Sequence, residues 1–321
     1  MSTIGLLCSA SAIILCGILF CIVKRKNANP KTSFLMATIN IFLHPLRVLQ
    51  IGMLKDSVTL DKAMKDAMSA TNLHDYRDLH FVDNYKHISE LPFYKSLKFS
   101  NLGLIMAKME MQMGLCTRRL LMVDYFKKHP CIESIPVQSP LFVIGIGRSG
   151  TTFLHRLLSL DTAVRSPYLW EMMCPTPRVH EEYSAGASEI FATDRVKRAA
   201  DARKQVAGLN SLGDKTMENI HEVNSDLPEE CIVAMSDEIP LSFHFLYSSF
   251  TNMTEFCKEI PSARIIAAYQ SYKRILQLLS YQVGEGVAGE AVGRRWVLKS
   301  PVHSFFLKEL LQVFPDAKFV W

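Results

Sequence analysis

Between residues 140 and 158 the chain reads PLFVIGIGRSGTTFLHRLL. Two glycines, Gly145 and Gly150, stand in G-x-x-x-x-G spacing with Arg148 between them, and the hydroxyls of Ser149, Thr151 and Thr152 cluster around the second glycine. Residues 141–144 are apolar and partly β-branched, the pattern of a short buried strand. Residues 151–159 place Leu154, Leu157 and Leu158 at helical spacing, so a helix is expected with those leucines on its buried face. Strand, glycine turn and helix in that order make an anion trap. The turn aims backbone N–H groups inward and the helix N-terminus adds partial positive charge. Arg148 can grip a phosphate or sulfate through two parallel hydrogen bonds, and Ser149, Gly150, Thr151 and Thr152 can supply further donors. The residue after the second glycine would be Lys in a nucleotide triphosphatase; here it is Thr151. The plainer alternative is a strand-to-helix turn carrying an exposed arginine.

A second stretch bears on the same chemistry. Residues 294–301 read RRWVLKSP. Residues 296–298 are expected as a buried strand with Lys299 at its C-terminal end, where open α/β sheets bind their ligands. A helix is expected after it, running to Phe314 with Phe306, Leu307, Leu310, Leu311 and Phe314 toward the sheet; His303 reads as a first-turn residue rather than a base. Glu171 lies among Trp170, Met172 and Met173. A carboxylate in apolar company has a raised pKa and can act as a base, whereas an exposed surface glutamate is the bland reading. Asp226 is expected to cap a helix whose first turn holds Glu229 and Glu230, both placed there by the helix dipole. No metal site is expected.

These residues need a scaffold. A long helix over residues 262–282 is expected to bury Ile265, Tyr269, Tyr272, Ile275, Leu276 and Leu279. Helical patterns also run over residues 60–68 and 101–129, and a charge-rich, solvated helix over 181–204. Residues 317–321 begin another apolar strand. The chain has 321 residues, net charge +5 and eight cysteines. That charge is weak for the length, and no basic stripe interleaved with aromatics points to nucleic acid. The cysteines show no C-x-x-C pair, which argues against a zinc site or a disulfide framework.

Residues 4–23 are uncharged and long enough to span a bilayer, with Lys24, Arg25 and Lys26 following. The expected organisation is therefore a transmembrane anchor at 1–26, an interfacial helical segment at 27–58 (or a core helix pair kinked at Pro45) and a catalytic domain at 59–321. A single-pass endomembrane protein follows from this, of the Golgi or the endoplasmic reticulum, with the catalytic domain leaning to the cytosolic side. A sequon at Asn252 would oppose that lean.

Together, PLFVIGIGRSGTTFLHRLLSLD, SPYLWEM, DLPEE and RRWVLKSPVHSFFLKELLQVFPDAKFVW resemble the P-loop sulfotransferases, in the branch with a GRSGTT-type loop that includes relatives of the tyrosylprotein sulfotransferases. The resemblance implies an α/β fold with a P-loop NTPase-like parallel sheet flanked by helices. It implies that Arg148, Ser149, Gly150, Thr151 and Thr152 hold the 5′-phosphosulfate of 3′-phosphoadenosine 5′-phosphosulfate (PAPS), and that Lys299 neutralises charge on the bridging oxygen. It makes Glu171 the catalytic base by analogy with the tyrosylprotein branch. Where cytosolic sulfotransferases place a base histidine, this chain has Pro301. The family's 3′-phosphate contacts follow the strand that begins at Ala317, so the domain is expected to be incomplete at its C-terminus. The implied reaction is sulfuryl transfer to a hydroxyl or amine of a small-molecule, lipid or protein acceptor, without a metal. A P-loop kinase or nucleotide triphosphatase, and an inactive membrane-bound interaction protein of the same fold, are the alternatives.

Overall fold

The computed structural model describes residues 34–54, 59–90, 100–146, 149–212, 222–236, 238, 260–286 and 293–321. In chain order the helices are α1 (Phe34–Val48), α2 (Leu60–Thr71), α3 (His80–Glu90), α4 (Asn101–Met109), α5 (Arg118–Lys128), α6 (Thr151–Leu158), α7 (Leu169–Met173), α8 (Ser188–Leu212), α9 (Ile232–Met235), α10 (Ser262–Tyr281) and α11 (Leu307–Val313). The strands are β1 (Leu141–Val143), β2 (Val164–Arg165), β3 (Arg295–Lys299) and β4 (Lys318–Val320). Two compact units result. One comprises Met1–Thr59, Lys98–Glu110 and Val206–Val223; the other comprises Leu60–Leu97, Met111–Gln205 and Asn224–Trp321.

The larger unit carries the sheet. Its strands are ordered β2-β3-β1-β4 and every pairing is parallel. Parallel strands need both faces covered, which is why β1 and β3 read as continuous apolar runs. Phe142, Val143, Val297 and Leu298 are fully buried. The chain leaves β1 toward β2 on one side and leaves β3 toward β4 on the other. The sheet therefore changes winding direction between β1 and β3, and the crevice beyond their carboxyl ends is where such folds bind ligands. Helix α10 supplies much of the core: Ile265, Tyr269, Tyr272, Ile275, Leu276 and Leu279 are all buried, as their spacing predicts. The expected solvated helix forms as α8, although Asp194 and Arg198 on it are buried as an ion pair of 2.7 Å.

In the smaller unit, α1 and α4 are joined by reciprocal asparagine contacts. Asn101 Nδ2 donates to the Asn40 carbonyl at 2.8 Å, and the Leu102 amide donates to Asn40 Oδ1 at 2.8 Å. Ser100 caps α4 by accepting from the Gly103 amide at 3.1 Å.

Three expectations are corrected. The first is the membrane-spanning helix in the fold class, with the membrane attachment and single-pass localisation drawn from it. Among the described residues, no helix is long and apolar enough to cross a membrane. Residues Phe34–Val48 form α1, whose 15 residues reach about 22 Å against a hydrocarbon core of about 30 Å. Residues 4–23, Lys24, Arg25, Lys26, Arg148 and Asn252 lie outside the described residues. The second correction concerns α6: Leu157 is exposed, and its buried side chain is His155. The third concerns the DLPEE segment. Helix α9 begins only at Ile232, so Asp226 does not cap it; Asp226 instead accepts from Arg203 Nε at 2.6 Å.

Candidate active site

The loop after β1 is shaped by two glycines. A Cβ at Gly145 would stand 2.9 Å from Thr151 Cγ2 and 3.0 Å from Ser149 Oγ, so only a glycine lets these two side chains close over the loop start. Gly150 has φ +82°, in the left-handed region that favours glycine, and it is the residue from which α6 starts. Two hydroxyls hold the backbone in place. Ser304 Oγ accepts from the Gly145 amide at 3.2 Å, and Ser149 Oγ donates to the Ile146 carbonyl at 2.6 Å.

Helix α6 is pinned to β3 by His155, whose Nε2 bonds the Val297 carbonyl at 3.1 Å. Burial pushes this imidazole down to about 4, which keeps it neutral at ordinary pH. Thr152 lies one turn before His155 and faces the same strand, where Lys299 Nζ donates to Thr152 Oγ1 at 3.0 Å. In the sheet, Lys299 pairs with Val143, two residues before Gly145. Sequence spacing thus becomes geometry: the loop helix and the end of β3 meet at one ammonium group.

That ammonium has a second partner. Lys299 Nζ also donates to Glu230 Oε1, and the two side chains are only 3% and 9% exposed. Glu230 is carried there by the backbone, because the Cys231 amide donates to the Lys299 carbonyl at 2.9 Å. A buried ammonium needs a countercharge, and here the DLPEE segment provides it. Sequence reasoning assigned Glu230 to a helix dipole; the available signal was a doublet of carboxylates, Glu229 and Glu230, preceding an apolar run that itself contained no cation. Of its three N–H donors, Lys299 spends two on Thr152 and Glu230, leaving one unspent among the described residues.

Glu171 has different surroundings. Its Oε1 accepts from Arg165 Nη2 at 2.9 Å and Arg195 Nη2 at 3.1 Å, and its Oε2 accepts from the Tyr168 amide at 3.0 Å. Burial pushes this carboxyl up, but the two guanidinium charges and the amide outweigh it, so the group is held below the usual carboxylate range rather than above it. Arg165 also lies over the Trp296 ring at 4.7 Å and donates to the Leu279 carbonyl at 3.0 Å. The sequence expectation of a raised pKa rested on Glu171's immediate neighbours, and the cations come from elsewhere in the chain. His303 is fully buried, with Nδ1 bonded to Tyr269 Oη at 2.9 Å, and burial pushes it down to about 3. Ser300 Oγ, next to Lys299, is buried without a partner among the described residues.

Of the residues singled out from sequence, then, Ser149, Gly150, Thr151, Thr152 and Lys299 come together around the loop and the end of β3. Glu171 is enclosed in an arginine network, and Arg148 lies outside the described residues.

A sequence profile of the sulfotransferase family matches residues 140–321, which include both the loop and the β3 site. The chain belongs to that family. The omega-hydroxy-beta-dihydromenaquinone-9 sulfotransferase Stf3 of Mycobacterium bovis is 27% identical over 192 residues, covering 59% of this chain and 42% of that protein. The Mycobacterium tuberculosis protein of the same name matches to the same extent. The chain thus spans less than half the length of the curated relatives it matches. Among solved structures, sulfotransferase STF9 of Mycobacterium avium superposes with a TM-score of 0.62 at 26% identity, over 82% of this chain and 62% of that one. Sulfotransferase STF1 of M. tuberculosis has a TM-score of 0.58 at 23% identity over 83% of this chain and 67% of that one, a likeness of fold.

Proposed function

We propose that the chain transfers a sulfuryl group from PAPS to a hydroxyl or amine acceptor. The observation that carries this reading is the meeting of Lys299 with Thr152 at the first turn of the loop helix, with one ammonium N–H left over. The residues present suit the donor. Gly145 and Gly150 shape the loop start, and the buried Ser300 Oγ beside Lys299, without a partner among the described residues, offers a further polar group. When bound, the donor supplies a sulfuryl group on a phosphate leaving group.

The chain's own residues then have separable tasks. Ser149, Gly150, Thr151 and Thr152 cradle the donor's anionic end, with Arg148 assigned to the same cradle from its place in the loop. Lys299 aims its remaining N–H at the oxygen on which charge grows as the bond to sulfur breaks. Sulfuryl transfer parallels phosphoryl transfer, so positioning and charge stabilisation provide most of the acceleration. Glu171 is not given the role of base, because both of its oxygens are engaged. A lipid-like alcohol is the acceptor class we favour; its support is the name of the curated relatives, which specifies an omega-hydroxy menaquinone derivative.

Calorimetry with adenosine 3′,5′-bisphosphate, the desulfated donor, tests the site directly. Transfer of labelled sulfate tests the reaction. Binding by the full-length protein, with transfer reduced about 100-fold or more in Lys299→Met, is the expected result. Failure of the full-length protein to bind the nucleotide would remove the reading.

A further inference from the structure

We propose that Glu230 is the catalytic base, the carboxylate that takes the acceptor's proton during sulfuryl transfer. The assignment rests on the function proposed above and deepens it. Glu171, the base expected from the resemblance, and Glu230 commit their oxygens differently. Glu171 spends Oε1 on two guanidinium groups and Oε2 on a backbone amide. Glu230 spends Oε1 on Lys299, while its Oε2 takes no hydrogen bond among the described residues. The open oxygen therefore belongs to the carboxylate already in contact with the lysine that faces the leaving group.

The placement is fixed from both sides. The Cys231 amide ties the segment to the Lys299 carbonyl, and the Glu230 amide itself donates to Glu229 Oε1 at 2.8 Å. Glu230 is thus held by backbone at the carboxyl end of β3 rather than by a mobile side chain alone.

The acceptor oxygen bonds to sulfur as its proton passes to Glu230 Oε2. The bond between sulfur and the bridging oxygen breaks, and its electron pair stays on that oxygen, where Lys299 donates a hydrogen bond. The products are the sulfated acceptor and adenosine 3′,5′-bisphosphate, with Glu230 protonated until solvent removes the proton. No oxidant or metal enters the balance.

The assignment predicts a dependence on acceptor acidity. 4-Nitrophenol gives up its proton near neutral pH and needs little help, whereas geranylgeraniol needs a base. With labelled PAPS, Glu230→Gln should lose about 100-fold in transfer to geranylgeraniol, lose far less with 4-nitrophenol, and bind adenosine 3′,5′-bisphosphate as the unmodified chain does. Glu230→Asp should fall between. The glutamine carbonyl can still accept from Lys299, so the fold should persist. If that variant fails to fold, carboxyl labelling of the unmodified chain decides. A water-soluble carbodiimide with a small amine should modify Glu230 ahead of Glu171, read by peptide mass spectrometry. Equal losses on both acceptors, retained geranylgeraniol transfer in Glu230→Gln, or labelling of Glu171 ahead of Glu230 would overturn the assignment while leaving sulfuryl transfer intact. Absence of nucleotide binding by the full-length protein would instead remove the reading on which the assignment rests.

Discussion

Arg165 and Glu171 form a buried ion pair at 2.9 Å, 6% and 2% exposed, and Arg165 reaches a second carboxylate in Glu285 Oε2 at 3.4 Å. Arg294 Nε closes the chain of charges on Glu285 Oε1 at 2.6 Å. The network joins the segment after β2 to the end of α10 and the entrance to β3.

Breaking this network should cost stability. Removing one partner of a buried pair leaves the other charge uncompensated, typically worth about 3–5 kcal/mol. Glu171→Ala should shift the urea midpoint by a corresponding amount. The sign of the pH effect follows from the lowered carboxyl of Glu171. A depressed pKa contributes stability above the unfolded-state value, and that stability is lost as pH falls through the carboxylate range below about 4.5. Over that range the unmodified chain should lose more stability than Glu171→Gln, measured by urea unfolding in matched buffers.

A separate acid window belongs to two histidines. Burial pushes His155 down to about 4 and His303 to about 3. Below about 6.5 the unfolded chain binds protons at both while the folded chain does not, so stability falls as pH drops. The slope should be on the order of 1 kcal/mol per pH unit for each histidine between pH 6 and 4.5. His155→Gln should flatten it relative to the unmodified chain in urea titrations.

Lys299 and Glu230 should behave as a coupled pair. Either Lys299→Met or Glu230→Gln leaves an uncompensated buried group, whereas the double variant removes both charges. A double-mutant cycle by urea unfolding should return a coupling of about 0.5–3 kcal/mol, the double variant being more stable than the sum of the single losses. Strict additivity would mean that the two groups do not meet in solution.

Gly145→Ala should separate binding from folding. The new Cβ meets the ends of two small side chains, Thr151 and Ser149, rather than backbone. Those side chains must shift, and the backbone at φ +155° is one an L side chain rarely adopts, so the stability loss should be about 1–3 kcal/mol. Their hydroxyls would then leave the cradle, and affinity for adenosine 3′,5′-bisphosphate should fall further than the melting temperature suggests. Calorimetry beside thermal melts reads both.

Legibility followed the range of the interactions. The β1–loop–α6 unit, the end of β3 at Lys299 and the buried face of α10 were readable because each is a local pattern. What remained hidden depends on contacts that only the folded chain brings together. Glu171 looked like a carboxylate in apolar company, but its environment is set by Arg165 and Arg195, which converge only once β2 and α8 are in place. Glu230 finds its countercharge 69 residues away, so a dipole reading was the best local account. Leu157 was assigned to the core by periodicity alone. On so short a helix the face toward the sheet is chosen by what the adjacent strand offers, and β3 offers a carbonyl to His155. The stretch at 34–54 illustrates the same limit: Asn40 finds its partners on α4 at Asn101 and Leu102, 61 and 62 residues on in sequence.

His155 has one more consequence. Thr152 and Lys299 come from segments far apart in the chain, yet both are referred to a single strand, because the imidazole clamps α6 to β3 one turn beyond the threonine. The cation and hydroxyl are therefore ordered before any ligand arrives. Much of the entropy loss at this contact was incurred during folding, so binding of the proposed donor should restrict chiefly the donor, and affinity at this point should depend little on rearrangement of the protein.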